Sequence, residues 1–369
     1  MQASSIPSSG TIKLTPFVAH DSLPDHSSAL KSVSHFLHDR FGPSFASSVV
    51  AVGHRVVHGL DISDPVRITP QVQETIERAA ELAPLHNPPN LQGILASQSI
   101  FPRAFQVAVF DTAFHQSMPP EAYMYALPWH LYENQSLRRY GFHGTSYKYL
   151  TRRTALALDK HTSDVNAILC HLGAGSSMCA IQGGRSVDTT MGFTPLEGLM
   201  MGSRCGDIDP AIVTWLQAAQ GLTYKEVDNL LNKKSGFLGL AGNVDLRSVL
   251  EGESRGDKRC ALAISVFVRR VRKYLGAYWF HLNGDVDAIV FSGGIGENAV
   301  EIRRRVCRGL RWAGVVLDEE RNAKAVGVDV ATEIQSRGNS KVKVLVIPTD
   351  EELSIAEQTL EVIAGDGVL

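Results

Sequence analysis

The sequence predicts an α/β protein of two domains, with mixed sheets flanked by helices. Three observations carry that expectation. A length of 369 residues suits two domains of ordinary size. Hydrophobic residues make up 44% and charged residues 20%, the proportions of a globular chain that builds its core without staples. The apolar periodicities alternate between hairpins and strand–helix units, which argues for layers with mixed sheets rather than a pure parallel barrel.

The elements follow in chain order. Residues 1–26 carry little periodicity. Ser27 to Phe41 reads as a helix with Leu30, Val33, Phe36 and Leu37 on one face. Ser48 to Val57 is Val-rich and reads as a strand. Pro70 to Leu82 reads as a helix with proline at its start, and Phe105 to Phe110 as an apolar strand ending at Asp111. A second region begins after Gly144. Asn166 to Leu172, Ser177 to Ile181 and Ser186 to Thr189 form a predicted meander with glycine turns. Helices are expected at 210–219, 258–282 and 297–310, with a strand at 286–291 between the last two. The end reads strand (342–347), turn, then helix (351–363).

The formal charge of −2 gives no reason to expect a nucleic-acid partner. No apolar run is long enough for a bilayer-spanning helix. The start, rich in Ser and Pro, has no secretory h-region, and the five cysteines are scattered, odd in number and without a CxxC pair. The expectation is a cytoplasmic protein.

Several segments could carry chemistry. In Gly53-His54-Arg55-Val56-Val57-His58-Gly59, strand alternation separates Arg55 from the two histidines. Those histidines lie about 13 Å apart at the strand rise of ~3.3 Å, too far to share a metal. Arg55 suits a carboxylate or phosphate through its rigid fork, unless the segment is only a strand with satisfied polar ends. Leu85-His86-Asn87-Pro88-Pro89-Asn90 reads as a rigid loop before a helix capped by Asn90. Asp111, at the C-terminal end of an apolar strand, is either a catalytic or metal-binding acid or a helix N-cap. His143 lies between Gly141 and Gly144, where backbone can approach a ligand, and Thr145 or Ser146 could cap the helix that follows.

His171-Leu172-Gly173-Ala174-Gly175-Ser176-Ser177 offers free N–H groups and two hydroxyls, the equipment of a phosphate cradle. It is not a Walker A loop, since no Gly-Lys-Ser/Thr follows. Arg204 sits in a glycine-bounded loop, as a cation for a developing anion or as a partner of Asp207 or Asp209. Gly293-Gly294-Ile295-Gly296-Glu297-Asn298 joins strand to helix without GxGxxG spacing. Asp350-Glu351-Glu352 either complements a helix dipole or binds Mg²⁺. Cations, anion loops and carboxylates together are the parts of a phosphoryl-transfer site.

These segments, together with LAPLHNPPN, FDTAFHQSMPPEAYMYALP, RRYGFHGTSYKY, MGFTPLEGLMMGSRCGDIDPAIV, GGIGEN and PTDEE, resemble the acetate kinase (acetokinase) family of the sugar-kinase/Hsc70/actin fold, known as ASKHA. The resemblance runs from about Ala51 to the C-terminal helix. It implies two ASKHA domains with a cleft between them: residues 1–111 plus 350–369, then 112–349 for nucleotide binding and dimerisation. It implies transfer of the γ-phosphoryl group of ATP to acetate, with Mg²⁺ or Mn²⁺ as cofactor and a homodimer as the assembly. Propionate or butyrate is the alternative acyl substrate.

Carried over residue by residue, Arg55 is the substrate-binding arginine and Asp111 the essential acid. His143 and Arg204 stabilise the transition state. Val57, Leu85, Phe142 and Pro195 hold the acetate methyl, with His86 beside the substrate. His171, Leu172, Gly173, Ala174 and Gly175 form the phosphate loop. Gly294, Ile295, Gly296, Glu297 and Asn298 form the adenosine loop, and Asp245-Leu246-Arg247 lies at the adenine. Glu351 is the Mg²⁺-associated glutamate. Arg55 and Arg204 are both expected to face an anion rather than pair with nearby acids.

Three departures stand out. Leu60 replaces a usual glycine and Ala174 a usual asparagine. The family's N-terminal Asn-Ala-Gly-Ser-Ser-Ser-x-Lys motif occurs nowhere in the sequence. The expectation is therefore an N-terminally incomplete first domain, a Ser48–Val57 strand with an open edge, and little or no turnover. A catalytically inactive truncated isoform or pseudoenzyme is the alternative reading.

Overall fold

The computed structural model describes residues 2–4, 10–14, 17–21 and 26–366 apart from 43 and 85, with side chains described from residue 31 onward. The chain divides into two compact units, Met1–Ala113 with Glu352–Leu369, and Phe114–Glu351.

The first unit holds two small sheets. β1 (Gln2–Ser4), β2 (Gly10–Leu14) and β3 (Phe17–Asp21) form an antiparallel meander. The sequence predicts little order there, because strands of three to five residues are too short for alternation to stand out. In the second sheet β4 (Ala51–Val56) runs parallel to β6 (Phe105–Phe110), and β5 (Val66–Arg67) pairs antiparallel on the other side of β6. Among the described residues β4 pairs with β6 alone.

Alternation along β6 builds this core. Ala108 and Phe110 join Val56, Ile76 and Ile94, which come from β4 and from the helices Pro70–Arg78 and Asn87–Ile100. Val107 and Val109 point the other way, onto Ile363 of the helix Glu351–Gly365. That helix lies so close to β4 that a Cβ on Gly53 would stand 2.3 Å from Thr359 Oγ1.

The second unit is organised by a six-stranded mixed sheet. Its strands are β7 (Ala167–Leu172), β8 (Ser176–Gln182), β9 (Arg185–Thr189), β10 (Ala288–Ser292), β11 (Thr332–Glu333) and β12 (Lys343–Val346), in the order β11-β12-β10-β7-β8-β9. β7, β10 and β12 are parallel, and β8, β9 and β11 are antiparallel to their neighbours. Both faces are covered, so the strands read as continuous apolar runs. Ile168, Cys170, Ile289, Phe291, Val344 and Val346 face the helix Lys258–His281 through Phe267, Val271 and Leu275. Their alternates Leu169, Val290 and Leu345 face Tyr147 and Leu150 of the helix Gly144–Leu158.

Two local readings change. The helix expected at 297–310 is two helices, Gly293–Asn298 and Val300–Cys307, broken at Ala299 with ψ 81°. The helix after His86 starts at Asn87 rather than behind an Asn90 cap, because its prolines fall in the first turn, where no N–H partner is lost. Among the described residues no helix is long and apolar enough to cross a membrane.

Candidate functional site

In the first unit the functional side chains stand at the ends of β4 and β6. The parallel register sets Arg55 beside Val109, and alternation puts Asp111 on the same face two residues on. Arg55 therefore forks onto the carboxylate, with Nε 3.0 Å from Oδ1 and Nη2 2.6 Å from Oδ2. The Asp111 side chain is 3% exposed and that of Arg55 46%. The expectation that Arg55 stays clear of acids is corrected: register, invisible in sequence, brings the two within reach.

The strand end beyond Arg55 is held by the Asn-Pro-Pro-Asn turn. The buried Asn87 amide accepts from His58 N–H at 3.1 Å and donates to the carbonyls of His58 and Ile76 at 2.9 and 3.0 Å. Asn90 Oδ1 accepts from Val57 N–H at 3.1 Å. The two asparagines thus continue the ladder where β4 has run out of strand partners, a role the sequence does not disclose. Val57 is buried and His86 half-buried. Leu85 lies outside the described residues. On β4 itself, His54 Nε2 lies 2.7 Å from Gln106 Oε1, and burial lowers its pKa. The next turn carries Leu60 with φ +52°, in the left-handed region, its N–H donating to His58 Nδ1.

In the second unit the C-terminal ends of the parallel strands β7 and β10 lie side by side, with His171 paired to Ser292. Ligands bind at such ends in open α/β sheets. Each strand leads straight into glycines. The turn Gly173-Ala174-Gly175 joins β7 to β8, and the Gly293–Asn298 helix starts directly after β10. A Cβ on Gly293 (φ +72°) would meet Leu172 O at 2.7 Å, so only glycine lets the two loops touch.

His143 precedes the helix Gly144–Leu158 in a left-handed conformation, φ +59°. Its Nδ1 lies 2.8 Å from Ser177 Oγ, which also bonds the Tyr147 hydroxyl. The ring stands 4.4 Å from that of His171, centroid to centroid. With Nδ1 engaged, Nε2 faces Gly175: a Cβ there would lie 3.6 Å from His143 Nε2 and 3.8 Å from Arg204 Nη1. His143, Arg204 and the first glycine loop therefore meet at one point.

The hydroxyls expected to cradle phosphate are used inside the protein. Ser176 Oγ closes the loop onto Gly173, and Ser177 Oγ orients His143. Ser146 does not cap its helix; its hydroxyl lies between His171 Nδ1, at 2.9 Å, and Thr349 Oγ1, at 2.7 Å.

Arg204 donates to Pro195 O at 3.2 Å and has no ion-pair carboxylate among the described residues. Asp207 is taken by Arg270 and Tyr274, and Asp209 by the N–H of Ala211. Burial lowers the Arg204 pKa, so an incoming anion would relieve an unfavourable desolvation. Phe142 is buried and Pro195 half-buried.

The remaining candidates are spread around this point. Glu297 Oε1 accepts from Thr349 N–H at 3.1 Å, tying the second glycine loop to the end of β12. Asp245 caps the helix Leu246–Ser254 and pairs with Arg247 at 2.8 Å, while Leu246 is buried. Glu351 is the first residue of the last helix. Among the described residues no three His, Cys, Asp or Glu side chains cluster as a metal site.

Sequence reasoning missed the supporting residues Tyr147 and Arg303, and gave Asn87 and Ser177 no supporting role. Arg303 is fully buried, with all its donors on Asn322, Gly296, Glu297 and Ala325 oxygens at 2.7–2.9 Å. Nothing in the run Arg303-Arg304-Arg305 marks its first member as the buried one.

A model of the acetokinase family matches residues 15–357. An acetate kinase of Methanosarcina thermophila is 49% identical over 346 residues, 92% of this chain and 83% of that protein. Crystal structures of an acetate kinase from Porphyromonas gingivalis and a propionate kinase from Francisella tularensis superpose with TM-scores of 0.90 and 0.89. Each is 40% identical, and each match covers 96% of this chain and 90% of the other.

Proposed function

The chain belongs to the acetokinase family, and on that premise we propose that it transfers the γ-phosphoryl group of ATP to acetate, reversibly, giving acetyl phosphate and ADP by direct in-line transfer. The observation that carries this reading is the meeting of His143 Nε2 and Arg204 Nη1 over Gly175. Phosphoryl transfer draws its rate from positioning and from charge held where the transferring group becomes anionic. Two preset cationic or hydrogen-bonding groups beside a glycine loop supply that.

In this reading His171 to Gly175 receive the phosphates, Gly294 to Asn298 the adenosine, and Asp245 to Arg247 the adenine side. Arg55 binds the acetate carboxylate. Acetate is ionised at neutral pH, with a carboxyl pKa of about 4, so it needs no general base. Asp111, with both oxygens on Arg55, then acts by aiming the guanidinium rather than by taking a proton. Bound Mg²⁺ or Mn²⁺ would neutralise charge on the β- and γ-phosphates, and such an ion needs only one or two protein carboxylates. Glu351 is the carboxylate assigned to it.

Homodimerisation through the second unit fits the exposed Ile212 and Trp215 on the helix Ala211–Gln220. Five free cysteines fit a reducing, cytoplasmic setting.

Acyl preference tests the substrate assignment. Val57, Leu85, Phe142 and Pro195 are assigned to the methyl, and one extra methylene is worth about 1–3 kcal/mol in a fitted pocket. Acetate should be preferred over propionate, and Val57→Ala should shift kcat/KM toward propionate. An unchanged acetate/propionate ratio in Val57→Ala would remove Val57 from the pocket.

A further inference from the structure

The segment Met191–Gly198 supplies the carbonyl of Pro195, which receives Arg204 Nη1 at 3.2 Å. A network of three side chains closes this loop from behind. Arg139 Nη1 donates to the carbonyls of Thr189, Thr190 and Met191 at 3.0, 3.3 and 3.0 Å, spanning the loop's entry. Its Nη2 donates to Glu197 Oε1 at 2.6 Å, at the loop's exit. The other Glu197 oxygen accepts from the Tyr125 hydroxyl, whose oxygen accepts from Phe193 N–H at 2.9 Å. The packing leaves no slack: a Cβ on Gly192 would overlap both the Glu197 carboxylate and the Tyr125 hydroxyl.

The same network reaches His143. Arg139 lies four residues before it, and the N–H groups of Tyr140 and Gly141 donate to Gly192 O at 3.1 and 3.2 Å. One framework therefore carries both the backbone leading to His143 and the carbonyl that anchors Arg204. Its ion pair is well shielded, with the Arg139 side chain 16% and that of Glu197 33% exposed.

We propose that Glu197, with Arg139 and Tyr125, is a positioning residue for phosphoryl transfer, fixing the spacing between His143 and Arg204 by holding the loop that bears Pro195. The proposal rests on the assignment of Arg204 above and deepens it. A framework of this kind matters because a misplacement of about 1 Å costs on the order of 100-fold in rate. None of the three side chains contacts the reacting atoms in this account; they act through Arg204 and His143.

A double-mutant cycle on the full chain tests it, comparing wild type, Glu197→Gln, Arg204→Ala and the double variant for acetyl phosphate formation. Glu197→Gln keeps the shape and removes the charge. It should lower kcat about 10- to 100-fold while leaving KM for ATP within about twofold, and should cost nothing further in the Arg204→Ala background. An equal loss in both backgrounds would show that Glu197 does not act through Arg204 and would overturn the proposal. An Arg204→Ala variant with wild-type kcat would overturn it together with the assignment it rests on. Should Glu197→Gln fail to fold, Tyr125→Phe, which leaves the Arg139–Glu197 pair in place, is run through the same cycle with the same criteria.

Discussion

Single residues decide how much of the site is free to meet a ligand. Arg55 and Arg204 look alike in sequence, each an arginine among glycines, yet the structure separates them. Arg55 has a bidentate carboxylate partner and Arg204 has a backbone carbonyl. The difference was not legible, because the Arg55–Asp111 pair spans 56 positions and exists only in one parallel register. Leu60 was legible as a departure from the family's usual glycine, and the structure shows its physical content. A left-handed conformation costs a β-carbon-bearing residue about 1–2 kcal/mol, partly offset by the lower chain entropy of a non-glycine in the unfolded state. Leu60→Gly should therefore stabilise the protein by about 1 kcal/mol in urea unfolding. A loss of stability would mean that the leucine side chain contributes more than its backbone costs.

At the scale of elements, the strands were the most readable parts. Phe105–Phe110 is found as expected, and β7, β8 and β9 lie within a residue of their expected ends. Their apolar runs are unbroken because both faces are covered. Helix boundaries around glycine were harder. The second glycine loop is itself helical: Gly293 stands against the Leu172 backbone, Gly296 against that of Phe291, and Arg303 gathers the carbonyls of Gly296 and Glu297. Helix Tyr224–Lys233 was passed over although Thr223 and Glu226 form a capping box that the spacing announces.

Arg303 is the element-scale device behind the adenosine loop. Burial pushes its pKa down to about 10, and it stays charged at neutral pH against carbonyls of Gly296, Glu297, Asn322 and Ala325. Replacing it by methionine strips partners from several buried carbonyls at once, each worth about 1–3 kcal/mol. Arg303→Met should lose at least about 3 kcal/mol in urea unfolding and weaken ATP binding. A loss below about 1 kcal/mol would show that the carbonyls find other partners.

For the whole molecule, the family was readable from the order of the motifs, while the geometry within each unit needed the fold. The first unit presents Arg55 and Asp111 at the ends of two parallel strands. The second brings His143, Arg204 and two glycine loops to the ends of β7 and β10. The most direct test is acetyl phosphate formation from Mg-ATP and acetate by the full chain beside its Arg204→Ala variant. The chain should form acetyl phosphate, and Arg204→Ala should lower kcat by at least about 100-fold with a much smaller change in KM, as expected for a contact that strengthens in the transition state. Equal kcat in the two proteins, or a rise in KM alone, would contradict the account.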